Sequence, residues 1–148
     1  MTSDRSPPTA AVGSGVVTYL TDLKLIRGSW SSNGTLSIDG TSYAHALNDQ
    51  DCNSPESPRT MEYDLGRSFT SFHAVTGMSD NSDATSQVEL FVGGVPQGKF
   101  TIQRGTVHKI NLSVRGILTL KIIVSTVKTA RCDRENAGLT LGDPKLIS

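Results

Sequence analysis

The chain has 148 residues, a length that suits one domain with a single core. Its 14 basic and 14 acidic side chains give a formal net charge of zero. The balance offers no electrostatic reason to expect nucleic acid or an anionic membrane surface as a partner. The apolar runs are far shorter than the roughly 20 residues of a membrane helix, so we also predict no membrane insertion by this domain.

The first residues of the chain have the composition of a linker. Residues 1–14 contain Asp4, Arg5 and the pair Pro7-Pro8, without the apolar core of a signal peptide. Prolines keep such a segment extended and unpacked. We therefore predict a linker or disordered N-terminus at residues 1–14 and one β-domain at residues 15–148, excised from a longer protein.

Alternating apolar and polar residues recur along the rest of the chain, and no window keeps the spacing of an amphipathic helix. Turn signals such as Asp39-Gly40 and Gly93-Gly94 separate the alternating segments. This pattern predicts an all-β fold, a two-sheet antiparallel β-sandwich of the jelly-roll or a related type. In chain order, the predicted strands are Gly15–Leu20, Leu36–Ile38, Ser42–Leu47, Met61–Leu65, Ser68–Gly77, Gln87–Val92, Val95–Ile102, Lys109–Val114, Leu118–Val124 and Leu139–Ile147.

Longer polar segments lie between these strands, and two of them contain the cysteines. Cys52 lies in Asn48–Pro58 and Cys132 in Lys128–Asn136. Neither belongs to a CxxC motif of a zinc or thioredoxin site. The two side chains are either unrelated thiols or one disulfide that joins two loops, and the disulfide would imply an oxidising compartment.

No spacing of residues selects a catalytic site. The sequence contains no GxSxG nucleophile turn and no glycine-rich phosphate loop. His45, His73 and His108 form no HxH or HExxH unit, and no pair of acidic residues stands out as a glycosidase pair. We therefore predict that the chain is not an enzyme, with a small hydrolase as the weakest alternative.

An oxygen-rich run, Ser79–Asp83, follows the strand that ends near Gly77. Calcium takes roughly six to eight oxygen ligands, so Asp80 and Asp83 are candidate ligands of a structural Ca²⁺. The run lacks the spacing of an EF-hand. The same residue types also form plain turns held by local hydrogen bonds, and we favour the turn.

The polar segments also hold an inventory of side chains that is typical of sugar binding. An aromatic face contacts the sugar ring, while amide, carboxylate and guanidinium groups bind its hydroxyls. Trp30 lies among glycine and serine residues and suits either an exposed stacking platform or a plug at the edge of the sandwich. The candidate ligand-binding residues are Trp30, Tyr43, His45, Asn48, Asp49, Gln50, Arg131, Glu135 and Asn136.

Six short segments, in order along the chain, are similar to the signature of one family. They are Tyr19–Leu23 (YLTDL), Leu36–Tyr43 (LSIDGTSY), Tyr63–Gly66 (YDLG), Phe72–Asp80 (FHAVTGMSD), Val88–Gly94 (VELFVGG) and Gly142–Leu146 (GDPKL). From Tyr19 to Leu146 the chain thus resembles the novel putative carbohydrate-binding module (NPCBM) family. The resemblance implies a galactose-binding-domain-like jelly roll, attached to a larger secreted or cell-surface bacterial protein. It implies a galactose-type glycan or cell-wall polysaccharide as partner, often with a structural calcium.

The sequence departs from the family pattern at two positions. Gln50 stands where the family usually has a histidine near the ligand pocket, and Leu141 stands where a tryptophan commonly precedes GDP. The first hypothesis is a carbohydrate-binding module that uses the loops at one end of the sandwich. The alternative is an extracellular sensor or protein-interaction domain, for example of a receptor kinase, that has lost sugar binding.

Overall fold

The computed structural model describes residues 15–50, 58–128 and 138–148. The predicted linker at residues 1–14 therefore lies outside the described residues. One 3-10 turn, Leu20–Asp22, accompanies the strands, and no described helix is long and apolar enough to cross a membrane. The described residues form eleven strands: β1 Val17–Tyr19, β2 Leu25–Arg27, β3 Ser32–Ile38, β4 Thr41–Gln50, β5 Arg59–Asp64, β6 Ser71–Met78, β7 Thr85–Val92, β8 Val95–Ile102, β9 Val107–Ser113, β10 Thr119–Lys128 and β11 Gly138–Ile147.

The strands form two antiparallel sheets. The front sheet has the order β3-β4-β11-β6-β9, with β1 paired to β11, and the back sheet has the order β2-β5-β10-β7-β8. Two strands pair with different parts of β11: β4 pairs with Gly138–Leu141, and β1 pairs with Lys145–Ile147. The predicted all-β, two-sheet sandwich is confirmed.

The core lies between the two sheets and follows the alternation seen in the sequence. Along β7, every second side chain is buried from Ser86 to Val92. Leu120, Ile122 and Val124 of β10 pack from the same sheet. The alternation predicts that the Leu118 side chain points into the core, but it is 46% exposed. Leu118 lies in the turn before β10, where its carbonyl accepts a hydrogen bond from the Leu65 N–H. That one assignment was wrong.

Two strands extend beyond their predicted bounds. Strand β3 begins at Ser32, ahead of the predicted strand Leu36–Ile38, and β4 continues past Leu47 to Gln50. The reason is pairing of the backbone, since Ser32 lies opposite Asn48 and Asn48 lies opposite Thr140. Because the side chains at these strand ends are polar, the pattern of hydrophobic residues does not reveal them.

The predicted Asp39-Gly40 hairpin is confirmed and has a defined position. Both turn residues have positive φ, 48° and 80°, as a two-residue type I′ turn requires. Ile38, the last residue of β3, is buried against Gly77 of β6, where a Cβ would overlap Ile38 Cγ2. The hairpin therefore lies over the end of β6 rather than projecting into solvent.

Each of two adjacent strands of the front sheet contains a β-bulge. Strand β4 has one extra residue between Tyr43 and Ala46, opposite Leu36 and Gly34 of β3. Strand β11 has one extra residue between Gly142 and Lys145, opposite β6. Bulges bend a strand and redirect its side chains, so this part of the front sheet departs from regular geometry.

Candidate functional site

One end of the sandwich gathers several of the predicted ligand-binding residues. Gln50, at the end of β4, is the register partner of Gly138, at the start of β11. Asn48 and Asp49 immediately precede Gln50, and the Ser31 N–H donates to the Asn48 carbonyl at 2.9 Å, which brings the segment after Trp30 to the same end. We call the region formed by Trp30, Asn48, Asp49 and the Gln50–Gly138 pair the loop end.

Asn48 is fully buried at the loop end. Its side-chain amide donates to the Leu139 carbonyl at 3.3 Å and to Thr140 Oγ1 at 3.2 Å. Its amide oxygen accepts from Ser32 Oγ at 3.4 Å. Since buried polar groups must be satisfied, this side chain joins β3, β4 and β11 to one another.

Asp49 is also buried, at 2% exposure, and lies on the side of the front sheet that faces the back sheet. Its Oδ1 is 3.2 Å from Nη1 of Arg59, the first residue of β5. The pair thus links β4 of one sheet to β5 of the other. Because one partner is buried, the ion pair needs both members to avoid an uncompensated charge.

Trp30 is half-buried and packs against the core. Its indole N–H donates to Tyr63 Oη at 2.8 Å. Burial raises the pKa of Tyr63 from 10.0 to about 12, while the hydrogen bond from Trp30 acts in the opposite direction. Trp30 thus packs at the edge of the sandwich and keeps some exposed surface, and its role in ligand binding stays a prediction.

The remaining predicted residues of the loop end are described only in part. Gln50 is described by its backbone alone, as the last residue of β4. The residues that lie outside the described ranges are Cys52, Arg131, Cys132, Glu135 and Asn136. Their predicted roles in ligand binding and in a disulfide stay predictions.

Asp80 and Asp83 occupy the turn after β6. Both carboxylate oxygens of Asp80 accept from the Gly40 N–H, at 3.1 and 3.3 Å, and its own N–H donates to the Ser37 carbonyl at 3.2 Å. Asp83 is exposed. Within the described ranges no three His, Cys, Asp or Glu side chains come together as a metal-binding group. Asp80 thus serves the turn as a hydrogen-bond acceptor, and the role of the two aspartates as Ca²⁺ ligands stays a prediction.

Tyr43 and His45 lie away from the loop end, at the two bulges. The ring of Tyr43 covers Gly142, where a Cβ would lie 2.7 Å from the Tyr43 Cγ atom. The His45 ring stacks on Tyr19 with centroids 3.8 Å apart and planes at 7°. The His45 N–H donates to the Asp143 carboxylate at 3.0 Å, and Nδ1 of the ring is 3.7 Å from the same oxygen.

The predicted ligand-binding residues thus divide into two groups. Trp30, Asn48, Asp49 and the backbone of Gln50 lie at the loop end, whereas Tyr43 and His45 belong to the bulge region of the front sheet. Sequence reasoning did not include Tyr19 or Asp143 among the candidates. Both stand in the quoted motifs YLTDL and GDPKL, and those motifs were the signal that was available.

The sequence matches one family model over almost its whole length. The model is described as the NPCBM/NEW2 domain and matches residues 1–141. No curated protein matches the sequence. The first five of the six motifs quoted above lie within this continuous match, and Gly142–Leu146 follows directly after it.

Solved structures with the same fold include carbohydrate-binding modules. The CBM51 of Clostridium perfringens GH95, in complex with methyl-galactose, is 16% identical with a TM-score of 0.66, and the match covers 88% of this chain and 99% of that one. CBM51-2 of Clostridium perfringens ZmpB, solved with GlcNAc and the INT domains, is 15% identical with a TM-score of 0.67. That match covers 90% of this chain and 32% of that one, so this chain spans about a third of the ZmpB structure. The fold is thus that of carbohydrate-binding modules.

Proposed function

This chain belongs to the NPCBM/NEW2 domain family, and from that premise we propose that it is a non-catalytic carbohydrate-binding module of a larger secreted or cell-surface bacterial protein. It binds a glycan through the loops at the loop end of the sandwich. The glycan is a galactose-type sugar or a cell-wall polysaccharide.

The pairing of Gln50 with Gly138 is the observation that carries this proposal. Residues 51–57 follow Gln50 and residues 129–137 precede Gly138, so both segments join the front sheet at one pair of residues. The second segment contains Arg131, Glu135 and Asn136, which with Gln50 supply amide, carboxylate and guanidinium groups for sugar hydroxyls. Loops held in this way by rigid sheets are where binding residues concentrate.

Asn48 and Asp49 have a supporting role in this proposal. Both are buried, and their polar atoms are used by strands β3, β11 and β5. They hold the ends of β4 and β11 in place, so that the neighbouring loops start from a fixed position. Trp30 contributes the exposed part of its ring as a surface for a sugar.

A larger host protein is supported by one of the structural neighbours. A Clostridium perfringens ZmpB structure contains an M60 catalytic domain together with CBM51-1 and CBM51-2. This chain is 18% identical to it with a TM-score of 0.67, and the match covers 90% of this chain but 15% of that one. Modules of this fold therefore occur beside catalytic domains, which is the arrangement that we propose.

A glycan array with bacterial wall polysaccharides and galactose-type oligosaccharides tests the proposal. We expect binding by the wild-type domain and its loss in Arg131→Ala and Glu135→Ala. Gln87→Ala, on the back sheet, is the matched control and should bind as the wild type does. A blank array, with a protein partner captured instead from the same organism's envelope, would replace this function by the sensor alternative.

A further inference from the structure

The outer face of the front sheet contains a groove that is separate from the loop end. It has a volume of about 240 Å³ and crosses three neighbouring strands, β11, β6 and β9. We call it the outer-face groove. Its lining residues are His73, Ala74, Val75, Lys109, Asn111, Gly142, Asp143 and Lys145.

The strand register explains how these side chains come together. Lys145, His73 and Asn111 lie in one row across the sheet, and Gly142, Val75 and Lys109 lie in the next. Side chains two residues apart on a strand share a face, so both rows point to the same side. Strands lie about 4.8 Å apart, so the three strands give the groove a width of about 10 Å.

Glycine and the β11 bulge create the depression itself. Gly142 has no side chain to fill the middle of the floor, and the Tyr43 ring lies over it at one edge. Asp143, in the bulge, has a φ of 45°. This left-handed conformation is uncommon for a residue with a side chain, and together with the bulge it brings the Asp143 carboxylate to the rim.

Positive charge dominates the titratable side chains of the groove. It contains Lys109 and Lys145 against the single carboxylate of Asp143. Neither lysine forms an ion pair with any residue that the structure describes. The Asp143 carboxylate already accepts from the His45 N–H. Two ammonium groups are therefore available to an incoming anion.

A fixed hydrogen-bond donor lies beside these charges. Asn111 Oδ1 is 2.7 Å from His73 Nδ1, so the histidine donates there, and its Nε2 is 3.0 Å from Ser71 Oγ. This arrangement uses the oxygen of Asn111 and fixes the orientation of its amide. The Nδ2–H group has no partner in residues 15–50, 58–128 and 138–148 and is free to donate to a ligand.

We propose that the outer-face groove is a second binding site, which takes one acidic sugar residue of uronate type within a polysaccharide. The sugar carboxylate binds the ammonium groups of Lys109 and Lys145. Asn111 donates to a ring hydroxyl, and Asp143 accepts from another. The site deepens the proposed function and rests on it, since it assumes a glycan-binding domain.

The size of the groove supports one sugar residue rather than a larger ligand. Pockets for drug-sized molecules measure roughly 300–1,000 Å³. The outer-face groove, at about 240 Å³, is below that range and open along the sheet. A polysaccharide chain can therefore continue beyond the bound residue on either side.

Nuclear magnetic resonance titration of the whole domain with glucuronate and galacturonate tests this site. We expect saturable shifts of the backbone amides of His73, Asn111 and Lys145, and much smaller shifts with glucose and galactose. Lys109→Gln and Lys145→Gln should each weaken uronate binding about fivefold, the effect of losing one exposed ion pair. Lys99→Gln, on β8 of the back sheet, makes the same charge change and should leave binding unaltered.

Inorganic sulfate separates sugar recognition from simple attraction of an anion. If sulfate shifts the same amides as strongly as the uronates do, the groove is a plain anion site and the proposal is overturned. The absence of uronate-specific shifts overturns it as well. The proposed function at the loop end is judged separately, because the Lys109→Gln/Lys145→Gln double variant should keep its neutral glycan hits on the array.

Discussion

Asp143 combines an unusual backbone conformation with a long-range hydrogen bond. Its φ of 45° lies in the left-handed region, which aspartate tolerates better than most residues because its short side chain bonds locally. Its carboxylate accepts the N–H of His45, a residue in the bulge of β4. A bulge leaves one backbone group without a ladder partner, and Asp143 supplies that partner from the neighbouring strand.

The effect of replacing Asp143 on the free energy of unfolding should therefore depend on which of these two properties the new residue keeps. Asp143→Ala loses the acceptor and strains the left-handed backbone, so we expect a loss of about 2–3 kcal/mol in the free energy of unfolding. Asp143→Asn keeps an acceptor oxygen and the conformation and should lose less than half as much. Urea denaturation measures both, with Asp22→Ala as an exposed control. Equal losses in the alanine and asparagine variants would contradict this role.

Asp80 should stabilise the hairpin in the absence of any metal. Its carboxylate accepts the Gly40 N–H across two turns, so Asp80→Ala should cost about 1–2 kcal/mol. Asp83→Ala, in the same turn but exposed, should cost little. Thermal unfolding with calcium and with a chelator should give the same midpoint in each protein. A calcium-dependent midpoint that Asp80→Ala abolishes would contradict this expectation and support Asp80 as a calcium ligand.

Deprotonation of Tyr63 should destabilise the domain at high pH. Burial raises its pKa to about 12 from 10.0, so the folded state favours the neutral phenol. Its contribution is complete below pH 10 and is lost as the pH rises from 10 to 12, by about 2–3 kcal/mol in total. Tyr63→Phe should remove this part of the alkaline loss, as measured by urea denaturation against pH. Parallel pH curves for wild type and variant would refute the assignment.

The hairpin formed by β3 and β4 is attached to β6 through a close contact between two residues. Gly77 has no room for a Cβ because of Ile38 Cγ2. Gly77→Ala should therefore destabilise the fold by about 1–3 kcal/mol through overpacking. Ile38→Ala should cost about 2–5 kcal/mol through the cavity that it leaves. In the double variant the new methyl group occupies part of that cavity, so the loss should be smaller than the sum by at least about 1 kcal/mol. Additive losses in urea denaturation would rule out the contact.

At the scale of strands, the sequence reveals those elements whose two faces differ in polarity. The alternation of residues predicts β7 and β9, because one face of each strand is less exposed than the other. β2 is three residues long and half exposed, and the start of β3 is polar. Their pairing partners, β5 and β4, lie far along the chain or across a bulge, and no local pattern of residues records such a pairing.

The candidate site shows the same limit for individual side chains. Asn48 and Asp49 have the chemistry of sugar-binding side chains. From the sequence, that interpretation is as well supported as the buried structural role that the structure shows. The groups that satisfy Asn48, the Leu139 carbonyl and Thr140, come 91 and 92 residues later. The outer-face groove depends on a register that places Lys145 beside His73 and on a bulge at Asp143. Neither is encoded by spacing within one segment.

On the scale of the whole molecule, both cysteines lie in connections between the two sheets. Cys52 follows β4 of the front sheet and precedes β5 of the back sheet, and Cys132 lies between β10 of the back sheet and β11 of the front sheet. The register pair Gln50–Gly138 joins the described ends of these two connections. A disulfide here would fasten two sheet-to-sheet connections to each other at the loop end.

Such a disulfide should stabilise the entire domain rather than one loop. The cysteines are about 80 residues apart, and closing a loop of that length contributes about 4 kcal/mol by reducing the entropy of the unfolded chain. We expect a reductant to lower the free energy of unfolding by that order in the wild type and to leave the Cys52→Ser/Cys132→Ser double variant unchanged. Alkylation under denaturing conditions provides the direct measurement, since bridged cysteines take up the reagent only after reduction. Full labelling of both residues without reductant would exclude the bridge, and with it the argument that this domain folds in an oxidising compartment.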